Sequence, residues 1–415
     1  MTQENIKLDI DYVRSQFPAF KDPLSKDWSF FENAGGSYVP INVINKLTEF
    51  MTSTKVQPYA DYPMSKIAGE NMDKATSIFS EMINAKENEI LIGGSTSINL
   101  YVLSNALKKY INPGDEVIVT NQDHEANISP WRKLKAIGAK IIEWKFNLEN
   151  HELELDELKK LISPKTKILA VTHCSNIVGS VNNLKEISKL AHKNNIIVIG
   201  DGVSYAPHGF PNVKELDVDF YTFSLYKTFG PHLGLLYGKE EIMKDLPNQN
   251  HEFLDGKYPY TINPGGPNHE ELASLIGVYE YFENLYSHHF ERSAIKTLDK
   301  INNINRLISA HEEELANPIL EYIYNREDLK LIGKEKIVNK DRAPTISFIS
   351  NKLSSKEISE KLVKNKIATR NDNFYAWRCL KSLGIDVNDG VVRLSMTHYN
   401  SNEDKDQLLS ALKKL

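Results

Sequence analysis

Apolar residues along the chain fall into two alternating rhythms. Short continuous runs bounded by polar or glycine positions read as buried strands: Glu89 to Ile92, Glu116 to Thr120, Ile141 to Trp144, Ile168 to Thr172, Ile196 to Gly200, Phe220 to Phe223 and Leu233 to Tyr237. Between them, apolar positions three and four apart predict helices over Val43 to Ile83, Ile98 to Lys109, Leu155 to Ile162 and Leu184 to Lys193. This alternation of strand and helix argues an α/β unit, a mostly parallel seven-stranded sheet flanked by helices. Beyond it, helical spacing at Ile304 to Ile323 and Lys356 to Lys366, strands at Thr345 to Ile349 and Val391 to Ser395, and a last helix at Glu403 to Leu412 predict a smaller α+β layer. The expected division is a helical lead-in over 1–28 packing on the small domain, a large domain over 29–289 and a small domain over 290–415.

In such sheets, ligands bind beyond the carboxyl ends of the strands. The polar punctuation falls there: His173-Cys174-Ser175-Asn176 after one strand, Asp201-Gly202 after the next, and Ser224 to Lys227 after the third. Lysine is rarely buried without a partner. Lys227, between a Phe-rich strand and a Gly/Pro turn, is either a surface residue at a strand end or an amine of lowered pKa able to form a Schiff base with a carbonyl. Asp201 either caps the next turn or serves as counter-ion to a protonated ring nitrogen. A contact at about 3 Å with an effective dielectric of ~20 is worth roughly 5 kcal/mol, enough to raise a pyridine pKa by about 3 to 4 units.

Gly93-Gly94-Ser95-Thr96-Ser97, between a strand and a helix start, is a ready anion site, because free amides and the helix dipole point the same way. The same Ser and Thr are also common N-caps. No Gly-Lys-Ser/Thr follows, and GxGxxG is missing, so neither a P-loop nor a dinucleotide fingerprint is present. The turn Asn33-Ala34-Gly35-Gly36-Ser37 lets backbone approach a ligand. Asp123-His124-Glu125 matches no zinc spacing, so no metal is expected. Taken alone, His124 reads as a capping or surface residue.

Composition narrows the class. The 415 residues carry a net charge of -5, 41% hydrophobic and 25% charged residues, an ordinary globular balance with no basic excess for nucleic acid. No run of eighteen apolar residues and no signal-like start appear, and no basic helix-turn-helix stretch is visible at either end, so a cytoplasmic protein with no membrane partner is expected. Cys174 and Cys379 are too few for a disulfide framework or thiolate cluster.

Three stretches, Asp-His-Glu-Ala-Asn-Ile-Ser-Pro-Trp from Asp123, Ser-Asn-Ile-Val-Gly-Ser-Val-Asn from Ser175, and Phe-Ser-Leu-Tyr-Lys-Thr-Phe-Gly-Pro from Phe223, occur with Asp201 placed 26 residues before Lys227. In that order and spacing the chain resembles the pyridoxal-phosphate enzymes of fold type I, in the class V aminotransferase and cysteine desulfurase family, from about Phe30 to the C-terminus. The resemblance implies that Lys227 holds pyridoxal 5'-phosphate as a Schiff base and later moves the α-proton. Asp201 would pair with the ring nitrogen and His124 would stack on the ring. Thr96, with the amides around Gly94 and Ser95, would hold the phosphate together with Ser224 and Tyr226. Asn176 would lie near the phenolic oxygen and the substrate carboxylate, Arg393 would bind that carboxylate, Arg370 and Gly35 would assist, and Tyr375 would also touch the substrate. Ser204 replaces a glutamine common near the phenolic oxygen. Gly266 replaces a threonine that reaches the phosphate from a partner subunit, so a homodimer with shared active sites is implied.

One departure bears on the chemistry. Tyr375 stands where a desulfurase carries its persulfide-accepting cysteine, and neither Cys379 nor Cys174 matches that nucleophile. Asn373-Phe374-Tyr375-Ala376, with Ala206-Pro207-His208-Gly209 and Tyr399-Asn400-Ser401, instead resembles a desulfurase-like branch of the family lacking the persulfide cysteine, which implies an amino-acid substrate. The expected reaction is β-elimination or carbon–sulfur cleavage of a cysteine-like substrate. Amino transfer or epimerisation is the alternative, and a catalytically silent scaffold or sensor is the rival of another class. A sulfur-acceptor protein has no support in the sequence.

Overall fold

The Ile-, Val-, Leu- and Phe-rich segments pair with one another because their side chains cannot face water on either side of a sheet. In the computed structural model, which describes residues 6–291 and 296–415, the strands in chain order are β1 (Ser29–Phe30), β2 (Ile90–Gly93), β3 (Glu116–Thr120), β4 (Lys140–Trp144), β5 (Thr166–Thr172), β6 (Ile197–Asp201), β7 (Phe220–Ser224), β8 (Gly234–Gly238), β9 (Leu329–Ile332), β10 (Thr345–Ser350), β11 (Ile367–Ala368), β12 (Arg370–Asp372) and β13 (Val391–Ser395). A seven-stranded sheet runs in the order β2-β8-β7-β6-β5-β3-β4. Neighbours from β7 to β4 are parallel, and β8 lies antiparallel between β2 and β7.

Side chains alternate between two cores, as a period of two demands. Leu169 and Val171 of β5 point into one core, and Ile168 and Ala170 into the other. Helices Ile41–Ser53, Pro63–Met82 and Leu184–His192 contribute Phe50, Phe79 and Ile187 to the first. Helix Thr96–Ala106 contributes Leu100 and Leu103 to the second. A further antiparallel sheet, β12-β13-β10-β9, packs against the long helix Thr297–Tyr324, and β1 pairs with β11. No helix among the described residues is long and apolar enough to cross a membrane.

Several elements differ from the periodicity. The mostly helical stretch from Val43 to Ile83 is two helices, Ile41–Ser53 and Pro63–Met82, the second starting where Pro63 takes a first-turn position after the extended Tyr62 (φ -79, ψ 150). Among its described residues, 6–28, the lead-in is helical only over Ile10–Ser15 and for one turn at Pro18–Phe20. It touches both layers: Phe17 packs on Tyr281 and Tyr399, and Arg14 pairs with Asp404 of the last helix at 2.8 Å. β6 and β7 each run one residue further than expected, since Asp201 and Ser224 still pair with Thr222 and Gly234. Polarity of the side chain does not end a ladder that the backbone can continue.

Candidate active site

The carboxyl ends of β5, β6 and β7 and the loop after β3 meet around one cavity of about 470 Å³. Lys227 reaches it from the tight turn that follows β7, where Thr228 and Gly230 both donate to the Leu225 carbonyl. Burial pushes the Lys227 amine down to about 8, helped by Arg393 and Arg370, with Asp201 opposing. Asp201, the last residue of β6, is 3% exposed, and its carboxyl is pushed up to about 6 by burial while Oδ1 accepts the Val203 amide at 2.9 Å. It therefore offers a carboxylate short of a counter-charge. His124 is held down to about 3 by burial, with Lys227 and Arg393 adding to it. Its Nδ1 accepts the Ala126 amide at 3.0 Å, so the ring is neutral and carries its proton on Nε2.

Across the cavity, β2 ends in the Gly93-Gly94 turn, and Ser95 caps helix Thr96–Ala106 by accepting the Ile98 amide at 3.2 Å. β8 presses on this helix start at Gly234. A Cβ there would lie 2.5 Å from the Ser95 carbonyl carbon and closer still to the Thr96 nitrogen. Thr96 Oγ1 is buried and has no hydrogen-bond partner. Ser224 and Tyr226 line the same wall.

Asn176, after β5, donates to the Phe374 carbonyl at 2.9 Å and leaves its buried Oδ1 without a partner. Arg393, in the middle of β13, is 3% exposed. Its Nη1 donates to the Asn176 carbonyl at 3.3 Å, its guanidinium lies 3.6 Å from the Phe374 ring centroid, and Nε has no partner. No described carboxylate approaches Arg393 within ion-pair distance; burial lowers its pKa to about 9. Arg370 differs. It is half exposed and pairs with Glu32 at 2.7 Å, beside Gly35. Tyr375 covers the rim, 63% exposed, with its ring 5.2 Å from that of His124. Its loop is tied down: the Glu125 amide donates to the Tyr375 carbonyl at 2.8 Å, and Arg378 pairs with Glu125 at 2.8 Å.

The cavity thus gathers Ser95, Thr96, His124, Asn176, Asp201, Ser204, Ser224, Tyr226, Lys227 and Tyr375. Arg393 stands behind Asn176. Gly94, Gly35 and Arg370 lie outside the lining, and Gly266 is exposed in a turn (φ 73) with open space around it. Tyr101, Glu125, Ser129 and His232 line the cavity without having been singled out for it. Tyr101 follows Ser97 by four positions on helix Thr96–Ala106, so helical spacing carried its signal. Among the described residues no group of three or more His, Cys, Asp or Glu side chains is gathered as a metal site.

The residues present fit the group that the resemblance implies, pyridoxal 5'-phosphate. Its phosphate finds an unpartnered hydroxyl at a helix N-terminus, its ring a neutral imidazole and a counter-charge-poor carboxylate, and its aldehyde a depressed amine. Comparison with known proteins agrees. The family model described as "Aminotransferase class-V" matches residues 29–408. The chain is 36% identical over 413 residues to the aminotransferase-like protein FGM3 of Gibberella zeae, covering 97% of each. It is 30% identical to the cysteine desulfurase-like protein ustD of Aspergillus flavus, over 97% of this chain and 89% of that one. Among solved structures, the cysteine desulfurase CsdA of Escherichia coli matches with a TM-score of 0.82 at 22% identity over 98% of both chains, a likeness of fold.

Proposed function

Since the chain belongs to the class V aminotransferase family of pyridoxal-phosphate enzymes, we propose that it cleaves the carbon–sulfur bond of a cysteine-like amino acid by β-elimination and releases the sulfur as a small molecule. The loop bearing Tyr375 carries this reading. It puts an aromatic ring, not a thiol, over His124, and its backbone is fastened to Glu125 and Asn176. Cys174 and Cys379 are buried, with thiols pushed up to about 12 by burial, so neither supplies a thiolate to accept sulfur. Relatives named as cysteine desulfurases support a sulfur-containing substrate.

Pyridoxal 5'-phosphate, when bound, supplies a sink for the electron pair left at Cα. Thr96 Oγ1 and the amides at its helix start would hold the phosphate with Ser224 and Tyr226. Asp201 would keep a positive charge on the ring nitrogen, and His124 would lie against the ring. Arg393 takes the substrate carboxylate through its two-pronged fork, with Asn176 beside it. Lys227, as the free amine, removes the α-proton. The pair from that C–H bond becomes the Cα–Cβ double bond, the Cβ–S pair leaves with sulfur, and sulfur takes up a proton. Water then hydrolyses the released enamine to the keto acid and ammonia.

A homodimer with shared sites fits the surface. Tyr59, Tyr62, Met64, Ile67, Ile98 and Tyr260 are exposed apolar or aromatic side chains, and Gly266 lies in an exposed turn with open space around its Cα. Two buried, unpaired cysteines suit a reducing cytoplasm. Incubation with L-cysteine tests the reaction: equal amounts of sulfide and pyruvate are expected. Amino transfer that depends on a keto acid and releases no sulfide rejects the lyase.

A further inference from the structure

Lys227 sits on a short turn held on both sides by hydrogen bonds to one distant residue. The Tyr226 carbonyl and the Phe229 amide both turn toward Ser37, more than 180 residues earlier in the chain. The Ser37 amide donates to Tyr226 O at 3.1 Å, and its hydroxyl donates to the same oxygen at 3.2 Å. The same hydroxyl accepts the Phe229 amide at 2.9 Å. One side chain therefore closes a bracket across Lys227. Phe229 has φ +68, a conformation a bulky residue keeps only where its surroundings impose it.

The far end of the Ser37 turn is fixed as firmly. Gly36 lies so close to Tyr226 that a Cβ would come within 2.8 Å of its ring. The Ala34 amide donates to Ser395 Oγ at 2.9 Å, and Asn33 Nδ2 donates to the Ser395 carbonyl at 2.9 Å. Glu32 pairs with Arg370 at 2.7 Å. Ser395 is two residues beyond Arg393 on β13. The segment from Glu32 to Ser37 thus bridges the arginine side of the site and the lysine turn.

We propose that Ser37 is a positioning residue: its hydroxyl and amide hold the Lys227 turn in place, and through the Glu32–Ser37 segment they tie the position of Lys227 to that of Arg393 and Arg370. The inference rests on the reading that Lys227 is the cofactor lysine. The charged and titratable groups facing Lys227 are Asp201 from β6, Arg393 from β13, Arg370 from β12, His124 from the loop after β3 and, on its own turn, Tyr226, whose ring centroid lies 5.9 Å from Nζ. Loosening the turn moves the amine away from the cations and toward water.

The test uses the full chain, freed of cofactor, with acylation of Lys227 followed across pH by peptide mapping and with titration by pyridoxal 5'-phosphate. Ser37→Ala is expected to raise the pH midpoint of Lys227 acylation by about one unit, to weaken pyridoxal-phosphate binding about tenfold and to speed hydrogen exchange at the Phe229 amide. Ser37→Thr, which keeps the hydroxyl, restores all three. Should Ser37→Ala not fold, Ser37→Cys, of similar size and weaker hydrogen bonding, shifts them in the same direction by less. An unchanged midpoint and affinity in the folded Ala or Cys variant overturns the inference. Failure of pyridoxal 5'-phosphate to protect Lys227 in the unsubstituted protein instead overturns the reading of Lys227, a distinct result.

Discussion

Replacing Arg393 by leucine removes a guanidinium that is 3% exposed and faces no described carboxylate at ion-pair distance. If a substrate carboxylate pairs with this guanidinium, the loss is that of one partner from a buried, hydrogen-bonded charge pair, about 2 to 5 kcal/mol. At about 1.4 kcal/mol per factor of ten, this is roughly 30-fold to several-thousand-fold in kcat/KM. The near-complete burial favours the upper half, about 300-fold or more. Arg393 also helps lower the Lys227 pKa. Its loss leaves the amine more protonated at neutral pH, slowing every substrate alike. The decarboxylated analogue cysteamine separates the two effects. Arg393→Leu should depress kcat/KM for cysteine at least 30-fold more than for cysteamine, while Arg393→Lys, keeping charge but not the fork, should lose most of the discrimination and little of the amine shift. Equal losses for both substrates refute the assignment of Arg393 to the carboxylate. Folding is not expected to suffer, since an apolar side chain replaces a buried charge without an ion-pair partner.

Three further outcomes are expected. Thr96→Val removes a buried hydroxyl that has no partner, so thermal stability should hold or rise slightly, while pyridoxal-phosphate affinity in an absorbance titration falls about tenfold; unchanged affinity takes Thr96 off the phosphate. Gly234→Ala drives a Cβ into the Ser95 and Thr96 backbone and should cost about 1 to 3 kcal/mol of stability, read as a lower Tm, with weaker cofactor binding. Lys227 is an amine whose pKa lies below its ordinary value, at about 8, so Schiff-base formation by cofactor-free protein should accelerate as pH rises through that value. Because the unfolded chain still holds this proton above that pH, the group adds stability as pH rises from about 8 toward the ordinary lysine range. A midpoint near the ordinary lysine pKa contradicts the burial argument.

The sequence determined the strand and helix alternation, the fold class, the family and hence the cofactor. Each depends on local apolar rhythm or on contiguous motifs such as Asp123 to Trp131 and Phe223 to Pro231. Asp201, Asn176 and Lys227 were legible because a parallel sheet exposes the residues at its strand ends on one side. Tertiary structure alone decided what surrounds them. The unpartnered Arg393 Nε, the unpartnered Thr96 Oγ1 and the seating of Gly234 against Thr96 depend on how β13, β8 and the first turn of a helix stack. Ser37 shows the limit most directly: it meets Tyr226 across 189 positions of chain. Its neighbours Gly36 and Tyr38 announce nothing of that contact, because hydrogen bonds between distant segments leave no periodic trace in either segment.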